Sequence, residues 1–373
     1  MKNILVFFGG QSTEHDISVL TGVMTAGSLD KEKYGVYPVY VARDGGWYYG
    51  EELFDVGWYG DIKRLPAKVT MLGGDNALYK VGRGGRLKPV CKAACIINCM
   101  HGERGEDGCL AAVAEMCAVP LVGSPLAASS VALDKIASKV FLKGLGIKTL
   151  PFLEIKENTD LGEAEEKLGY PVMVKPARQG SSVGVNKAET RAELERSVNK
   201  AKKFDEKVLV EKFAAGKLEI NAAAYRAGGK IVVSECEMPA TENRFLTFED
   251  KYIKGERMFP APISKKLSDK IKALTARIYE GLDCSGVIRV DYLLSGGALY
   301  VNEINSVPGS MAYYLFCDTF AEFSRMLDEL IAEALERFNR RQTLIRRFDC
   351  NILKMTGGKG GKSDVLSIYI WND

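Results

Sequence analysis

Histidine is almost missing from this chain, with two residues in 373. General-base chemistry by imidazole therefore has little to draw on. No run of about 18 apolar residues occurs, which argues against a membrane span. The N-terminus, MKNILVFFGG, is too short for a secretory hydrophobic region and turns directly into a loop, so it reads as a first strand. Cysteine is thinly spread and odd in number, at nine. That suits reduced thiols in a cytoplasm better than a disulfide framework. Cys91, Cys95 and Cys99 are evenly spaced in KAACIINCM, but no partner ligands cluster near them and they read as core thiols. Strong charge of one sign is also missing. The net charge is +3 with Lys and Arg scattered, so nucleic acid is not an expected partner. A small polyanion such as a triphosphate remains compatible.

What is present is a soluble globular composition, 46% apolar and 27% charged, in a chain too long for one ordinary core. Its most informative stretch lies at 289–309. Arg289 and Asp291 sit on the hydrophobic run VIRVDYLL, and VNEINSVPG follows on the next. Glu303 and Asn305 are two apart, so on a strand they project from one face. Asp291 can lie opposite them in an antiparallel pair. Three hard oxygen ligands without His or Cys are the set expected for Mg²⁺, which keeps other positions for water and phosphate. The same residues also suit a polar-faced hairpin, and the pattern alone leaves both readings open.

Along the chain, ILVFF (4–8), an amphipathic stretch from about Ile17 to Leu29 and VYPVYVA (36–42) read as β-α-β. ACIINCM (94–100), a helical stretch near 107–117 and the short strand PLVG continue the alternation. Strands alternating with helices point to a parallel α/β sheet. The first turn, GGQSTEHD, lacks the third glycine of the dinucleotide fingerprint and is poor evidence for NAD. A second unit runs from about 125 to 213: helix 133–145, strand YPVMVKP, a Gly/Ser loop, helix 190–202 and strand KVLVEKF. A third starts near 217 with LEINAAAY and KIVVSECEM. It continues through loop 240–262, helix 264–281, the acidic hairpin and a long helix at 319–340. The tail past 345 reads as two short strands around a Gly/Lys turn.

Two loops carry chemistry. RQGSSVGV (178–185) follows a strand ending in Lys175. Its glycines let backbone approach a ligand, its serines add donors, and successive N–H groups can form an anion nest. HGERGEDG (101–108) follows an apolar strand, at the edge where α/β sheets collect ligands. It could orient a zwitterion, or be a tight βα turn with Asp107 near a helix start. TGGKGGKS (356–363) is one residue from a P-loop, but its first position is Thr356 and no strand-then-helix context surrounds it. It reads as a hairpin tip.

Taken in order, the motifs resemble the D-alanine–D-alanine ligases of the ATP-grasp superfamily. The matching segments are GGQSTEHDIS (9–18), HGERGEDG (101–108), GSPLAASSVALDKIASK (123–139), YPVMVKPARQGSSVGV (170–185), VEKF (210–213), FEDKY (248–252), GVIRVDYLL (286–294) and NEINSVPG (302–309). Together they span about 300 residues, and it is the collinear set that is specific. The resemblance implies an α/β fold, α+β in its C-terminal part. A Rossmann-like parallel-sheet domain at 1–124 would bind substrate. A two-part ATP-grasp fold would follow, with a central subdomain at 125–213, a C-terminal subdomain at 214–345 and an extension at 346–373.

By that resemblance, ATP joins two D-alanines through a D-alanyl phosphate for peptidoglycan synthesis. Lys139, Lys175, Ser182 and Lys251 would meet the nucleotide's phosphates, the segment Glu211, Lys212, Phe213 and Ala214 the adenine, and Glu219 the ribose. Asp291, Glu303 and Asn305 would hold two Mg²⁺, with Mn²⁺ able to substitute. Glu14, Ser181 and Tyr252 match a hydrogen-bonded trio between the first-substrate site and a lid at 240–262. Arg289 and the N–H of Gly309 would stabilise the oxyanion, while His101, Ser310 and Tyr314 border the substrates. Positioning and fixed positive charge carry such catalysis, which explains how two histidines suffice. A cytoplasmic homodimer is expected, acting on small molecules without nucleic acid or membrane.

Two departures stand out. Tyr314 occupies the position where the family has a serine for the second substrate's carboxylate, and Cys317 the position of a following proline. The step from Glu211 to Glu219 is also one residue longer than usual. Tyr314 and Cys317 keep open a related ligase with a different second substrate, and the spacing bears on the ribose contact. A catalytically silent nucleotide-binding module is the other alternative, and the joint presence of Lys175, Arg289, Asp291, Glu303 and Asn305 speaks against it.

Overall fold

The structure, a computed structural model, describes residues 1–157, 159–239 and 257–348. Met1–Phe338 form one compact unit, and the chain from Asn339 onward is a second. The described part of that second unit ends a long helix and continues to 348 with exposed side chains.

An eight-stranded sheet opens the first unit, in the order β6-β5-β4-β3-β2-β1-β7-β8. Its centre is β1 (Lys2–Gly9), paired in parallel with β2 (Tyr34–Val41) and with β7 (Cys95–Asn98). β8 (Leu121–Val122) continues the parallel set beyond β7. The run ILVFF is continuous because both faces of β1 are covered. Ile4, Val6 and Phe8 enter a core with α1 (His15–Ser28), while Leu5 and Phe7 enter another with Leu110 and Ala114 of α2 (Cys109–Met116). The expected parallel sheet is thus present but covers only half the strands. An antiparallel meander extends it: β3 (Trp47–Tyr49), β4 (Ala67–Leu72), β5 (Asp75–Val81) and β6 (Leu87–Lys92). Cys91, Cys95 and Cys99 are free thiols, and burial raises each, Cys91 to about 11 and the others to about 12.

α3 (Leu126–Leu133) and α4 (Lys135–Gly144) lead to two antiparallel four-stranded sheets. Asp134 caps α4, accepting from the N–H groups of Ile136 and Ala137 at 2.9 and 3.0 Å. The first of these sheets contains β9 (Phe152–Ile155), β10 (Val172–Pro176), β11 (Asn186–Ala188) and β12 (Val208–Lys212), in the order β11-β10-β12-β9. α5 (Leu161–Leu168) and α6 (Arg191–Ala201) cover one face of it, where Val172, Val174, Val208 and Val210 are buried.

The second comprises β13 (Leu218–Ala227), β14 (Lys230–Val233), β17 (Ile288–Ser295) and β18 (Ala298–Asn305), ordered β14-β13-β17-β18. Between them in sequence come β15 (Met238–Pro239), β16 (Arg257–Met258) and α7 (Lys265–Gly281). α7 buries Ile271, Ile278 and Tyr279 against Ile288, Val290 and Tyr292. The chain closes the unit with a tight helical turn at Gly309–Leu315 and α8 (Phe320–Gln342), whose apolar side packs with α1. Each of the two antiparallel sheets therefore turns one face to helices and keeps the other for the space between the sheets.

Candidate active site

Strand alternation decides what that space receives. On β10, Val172 and Val174 go to the core, while Met173 and Lys175 face the cavity. On β17, Val290 goes to the core, and Asp291 and Leu293 face the cavity. The result is a pocket of about 480 Å³ between the two sheets, closed along one side by the loop Gln179–Val185. Lys135, Lys187, Glu211, Phe213, Ala214, Lys217, Glu219 and Glu303 also line it.

Positive charge is concentrated on the β10–β12 side. Glu211 is 1% exposed and pairs with both Lys139, at 2.9 Å, and Lys175. Burial alone would raise the Glu211 carboxyl, but the two ammonium groups override it and bring it down to about 2. Lys139 is pulled down by burial, against the opposing attraction of Glu211. Lys175 also donates to Asn302 Oδ1 at 3.2 Å. Lys212, next on β12, is exposed and does not line the pocket. Glu219, on β13, lines the pocket and pairs with Lys217.

The loop 178–185 is anchored by Arg178, whose N–H and guanidinium both bond Asp205. Ser181 and Ser182 have φ of 48° and 59°, in the left-handed region that disfavours side chains. Ser181 Oγ donates to Glu14 Oε1, across 167 residues of sequence. A Cβ on Gly180 would meet the Glu14 carboxylate, so a side chain there would have to displace it. Two members of the expected trio are therefore in contact. Tyr252, and Lys251 beside it, lie outside the described residues, as do most of the expected lid, the greater part of the C-terminal extension and TGGKGGKS.

Asp291 stands opposite Glu303, and Arg289 opposite Asn305, across the β17–β18 pair. Arg289 grips Asp291 through Nε at 2.7 Å and Nη2 at 2.8 Å, and Asn305 Nδ2 donates to Asp291 Oδ2 at 3.2 Å. Glu303 lies 3.5 Å from Lys135 Nζ. Among the described residues no cluster of three or more His, Cys, Asp or Glu is placed to hold a metal. Asp291 and Glu303 line the pocket, and Asn305 sits against Asp291 just beyond the lining; two carboxylates and an amide, all hard oxygen donors, fit a cation that retains waters and takes phosphate oxygens. Zinc or copper would ask for softer ligands.

At the far end, HGERGEDG meets the turn after β18. His101 is buried, and its Nε2 pairs with Thr21 Oγ1 at 2.9 Å. Burial lowers its pKa, opposed by the charge of Glu14. The N–H of Ser310 donates to the same Thr21 oxygen at 3.1 Å. Glu106 accepts from the N–H of Gly102 at 2.9 Å and of Val307 at 3.1 Å, tying the two loops together beside Gly309. Burial, reinforced by Glu14, raises Glu106 to about 8.

From the sequence, Glu106 has only a share in a loop that could orient a zwitterion, and Lys135 and Arg257 have no role. Lys135 follows a helix-capping Asp, and Glu106 lies inside a motif already singled out. The only signal for either was that position, since their partners are 168 and 201 residues away.

Comparison with known proteins identifies the family. Family models described as D-ala D-ala ligase N-terminus and D-ala D-ala ligase C-terminus match residues 3–124 and 141–336. A D-alanine--D-alanine ligase from Thermosipho melanesiensis is 36% identical, over 96% of this chain and 100% of its own length. The solved D-alanine-D-alanine ligase from Coxiella burnetii superimposes with a TM-score of 0.80 at 25% identity, over 95% of this chain and 99% of that one. VanG D-Ala:D-Ser ligase from Enterococcus faecalis gives 0.77 at 27% identity, over 89% of this chain and 99% of that one. With both family models filled and a relative at that identity matched from end to end, the chain belongs to the D-alanine–D-alanine ligase family.

Proposed function

We propose that the protein joins two D-alanines at the expense of ATP, through a D-alanyl phosphate, to supply D-alanyl-D-alanine for peptidoglycan precursors. The observation that carries this reading is convergence on one pocket: Lys175 and Lys135 from one side, Asp291 and Glu303 from the other, with Ser181 and Glu14 at its end. Lysines with a carboxylate pair suit a triphosphate and its cation, and Glu14 suits the ammonium of a first amino acid.

In this reading the triphosphate competes with Glu211 for Lys139 and Lys175, and Glu219 takes the ribose. Ser182 and Lys251 add phosphate contacts, and the stretch Glu211–Ala214, including Lys212, borders the base. Asp291, Glu303 and Asn305 would hold two Mg²⁺, or Mn²⁺, which would supply positive charge against the transferring phosphoryl group. Glu14, fixed by Ser181 and Tyr252, orients the first D-alanine. Arg289 and the Gly309 N–H face the oxyanion formed when the second amine attacks. His101 and Ser310 shape the substrate end, and Tyr314 donates to the second carboxylate. The organisation is 1–124, 125–213, 214–345 and 346–373, and the protein acts as a cytoplasmic homodimer.

A second reading, with a different second amino acid, is favoured by one residue, Tyr314. The test is phosphate release with Mg-ATP and D-alanine, L-alanine as control and the product identified by mass. D-alanyl-D-alanine is expected. Phosphate release that needs D-serine or another second substrate beside D-alanine would establish the second reading. No release with any D-amino acid would overturn both.

A further inference from the structure

Arg257 and Tyr314 form a unit that the reaction above leaves unexplained. Ser310, Met311 and Ala312 have φ of 52°, 51° and 48°, three successive residues in the left-handed region. L-residues are strained there, so the turn survives because its surroundings hold it. Met311, Ala312 and Leu315 are buried in the core shared with α1 and α8, and the Ser310 N–H is tied to Thr21. What this turn delivers is Tyr314, whose hydroxyl lies in the field of Arg289, Glu237 and Asp291.

Arg257 grips this residue at its carbonyl and its ring. Its guanidinium carbon lies 4.7 Å from the centre of the Tyr314 ring. Nη1 and Nη2 donate to the Tyr314 carbonyl at 3.2 and 3.3 Å. Nη1 also reaches the buried Glu237 carboxylate at 3.3 Å. The backbone carbonyl and the ring face of Tyr314 are thus both held by Arg257, while Arg289 donates to Asp291. A phenol hydroxyl can donate as well as accept.

We propose that Arg257 is a positioning residue for the second substrate: it clamps Tyr314 by its carbonyl and ring face so that the hydroxyl presents its proton to the incoming carboxylate. This rests on the ligase reading above. It assigns selection of the second amino acid to a pair of residues that replaces a single hydroxyl. A lysine at 257 keeps the charge facing Glu237 but cannot form the two-pronged contact or stack equally well.

The experiment is steady-state ligation with separate Michaelis constants for ATP and for the first and second D-alanine. For Arg257→Lys the constant for the second D-alanine is expected to rise about tenfold, the value of one lost charge-assisted hydrogen bond. The other two constants should stay within about twofold. Tyr314→Phe, which keeps the ring and the carbonyl grip, should shift the same constant. The double variant should be no worse than the worse single variant, since both remove one interaction. Equal shifts in all three constants would mark a merely structural role and overturn the proposal, as would an unchanged second constant in both single variants. If the unaltered protein makes no dipeptide, the ligase reading falls and this inference falls with it. Dipeptide formation with indifferent variants overturns this inference alone.

Discussion

Replacing Glu211 by glutamine removes the one carboxylate that neutralises Lys139, a side chain 2% exposed. Breaking a buried ion pair from one side costs about 3–5 kcal/mol. The upper limit has a physical origin: the lysine escapes by losing its proton, which at pH 7 costs about 5 kcal/mol from a reference near 10.4. Lys139 is already displaced downward by burial, and Lys175 keeps its bond to Asn302, so the lower end, about 3 kcal/mol, is expected. In a compact unit running from Met1 to Phe338 that is a fall in Tm of about 4 °C, read by circular dichroism at pH 7.

The pH dependence fixes the cause. Glu211 has a folded pKa of about 2, below its usual value. Its stabilisation is therefore complete above the ordinary carboxylate range and is lost as pH falls from there towards 2. The gap between the two proteins should hold from about pH 5 to 8 and narrow below about 4. It should also narrow as pH rises towards 10, because the unfolded lysine then gives up its proton too. Glu211→Gln combined with Lys139→Met should regain most of the loss. A shift under about 1 °C at pH 7, or a gap that widens in acid, would refute the reasoning.

Gly180→Ala pushes a methyl group into the Glu14 carboxylate. The Michaelis constant for the first D-alanine is expected to rise at least about tenfold, with ATP affinity changed by less than about twofold; equal effects on both would show a general collapse of the loop. Glu303→Ala removes half of the carboxylate pair on β17 and β18, and phosphate release should fall by about 10² to 10³ at saturating Mg²⁺. Normal turnover with an unchanged Mg²⁺ requirement would remove Glu303 from the metal assignment.

Parts of this fold are legible because one pattern has one physical solution. ILVFF reads as a central parallel strand since only cover on both faces permits five consecutive apolar residues, and Ile4 and Leu5 do enter different cores. The helices at 191–201 and 265–281 follow from 3.6-residue periodicity, with Thr190 and Ser264 as caps. The meander at 47–92 has no such signal. β3 is three residues long, and β6 carries Pro89 and is largely exposed, so alternation is too short or too weak to register. α5 escaped notice for a similar reason, burying only Ala164 and Leu168. Long-range partners such as Glu14 with Ser181 and Glu106 with Val307 are tertiary facts that local spacing does not encode.

The acidic hairpin shows both the strength of pattern reading and where it stops. Strict alternation on β18 would place Glu303 and Asn305 on one face and Asn302 on the other. Yet Asn302 and Glu303 both line the pocket. The strand register explains it: Asp291 pairs with Glu303, but Tyr292 pairs with Val301, which leaves Asn302 as the extra residue of a β-bulge. Without that insertion Asn302 would be turned towards the core, and Lys175 would lose the acceptor it has at 3.2 Å. With it, the strand keeps Val301 and Ile304 in the core while presenting two adjacent polar residues to the cavity. A one-residue slip elsewhere along this pair would exchange Asp291 for Val290 and destroy core and site together. The same alternation specifies both, and the bulge is the one place where the site required an exception.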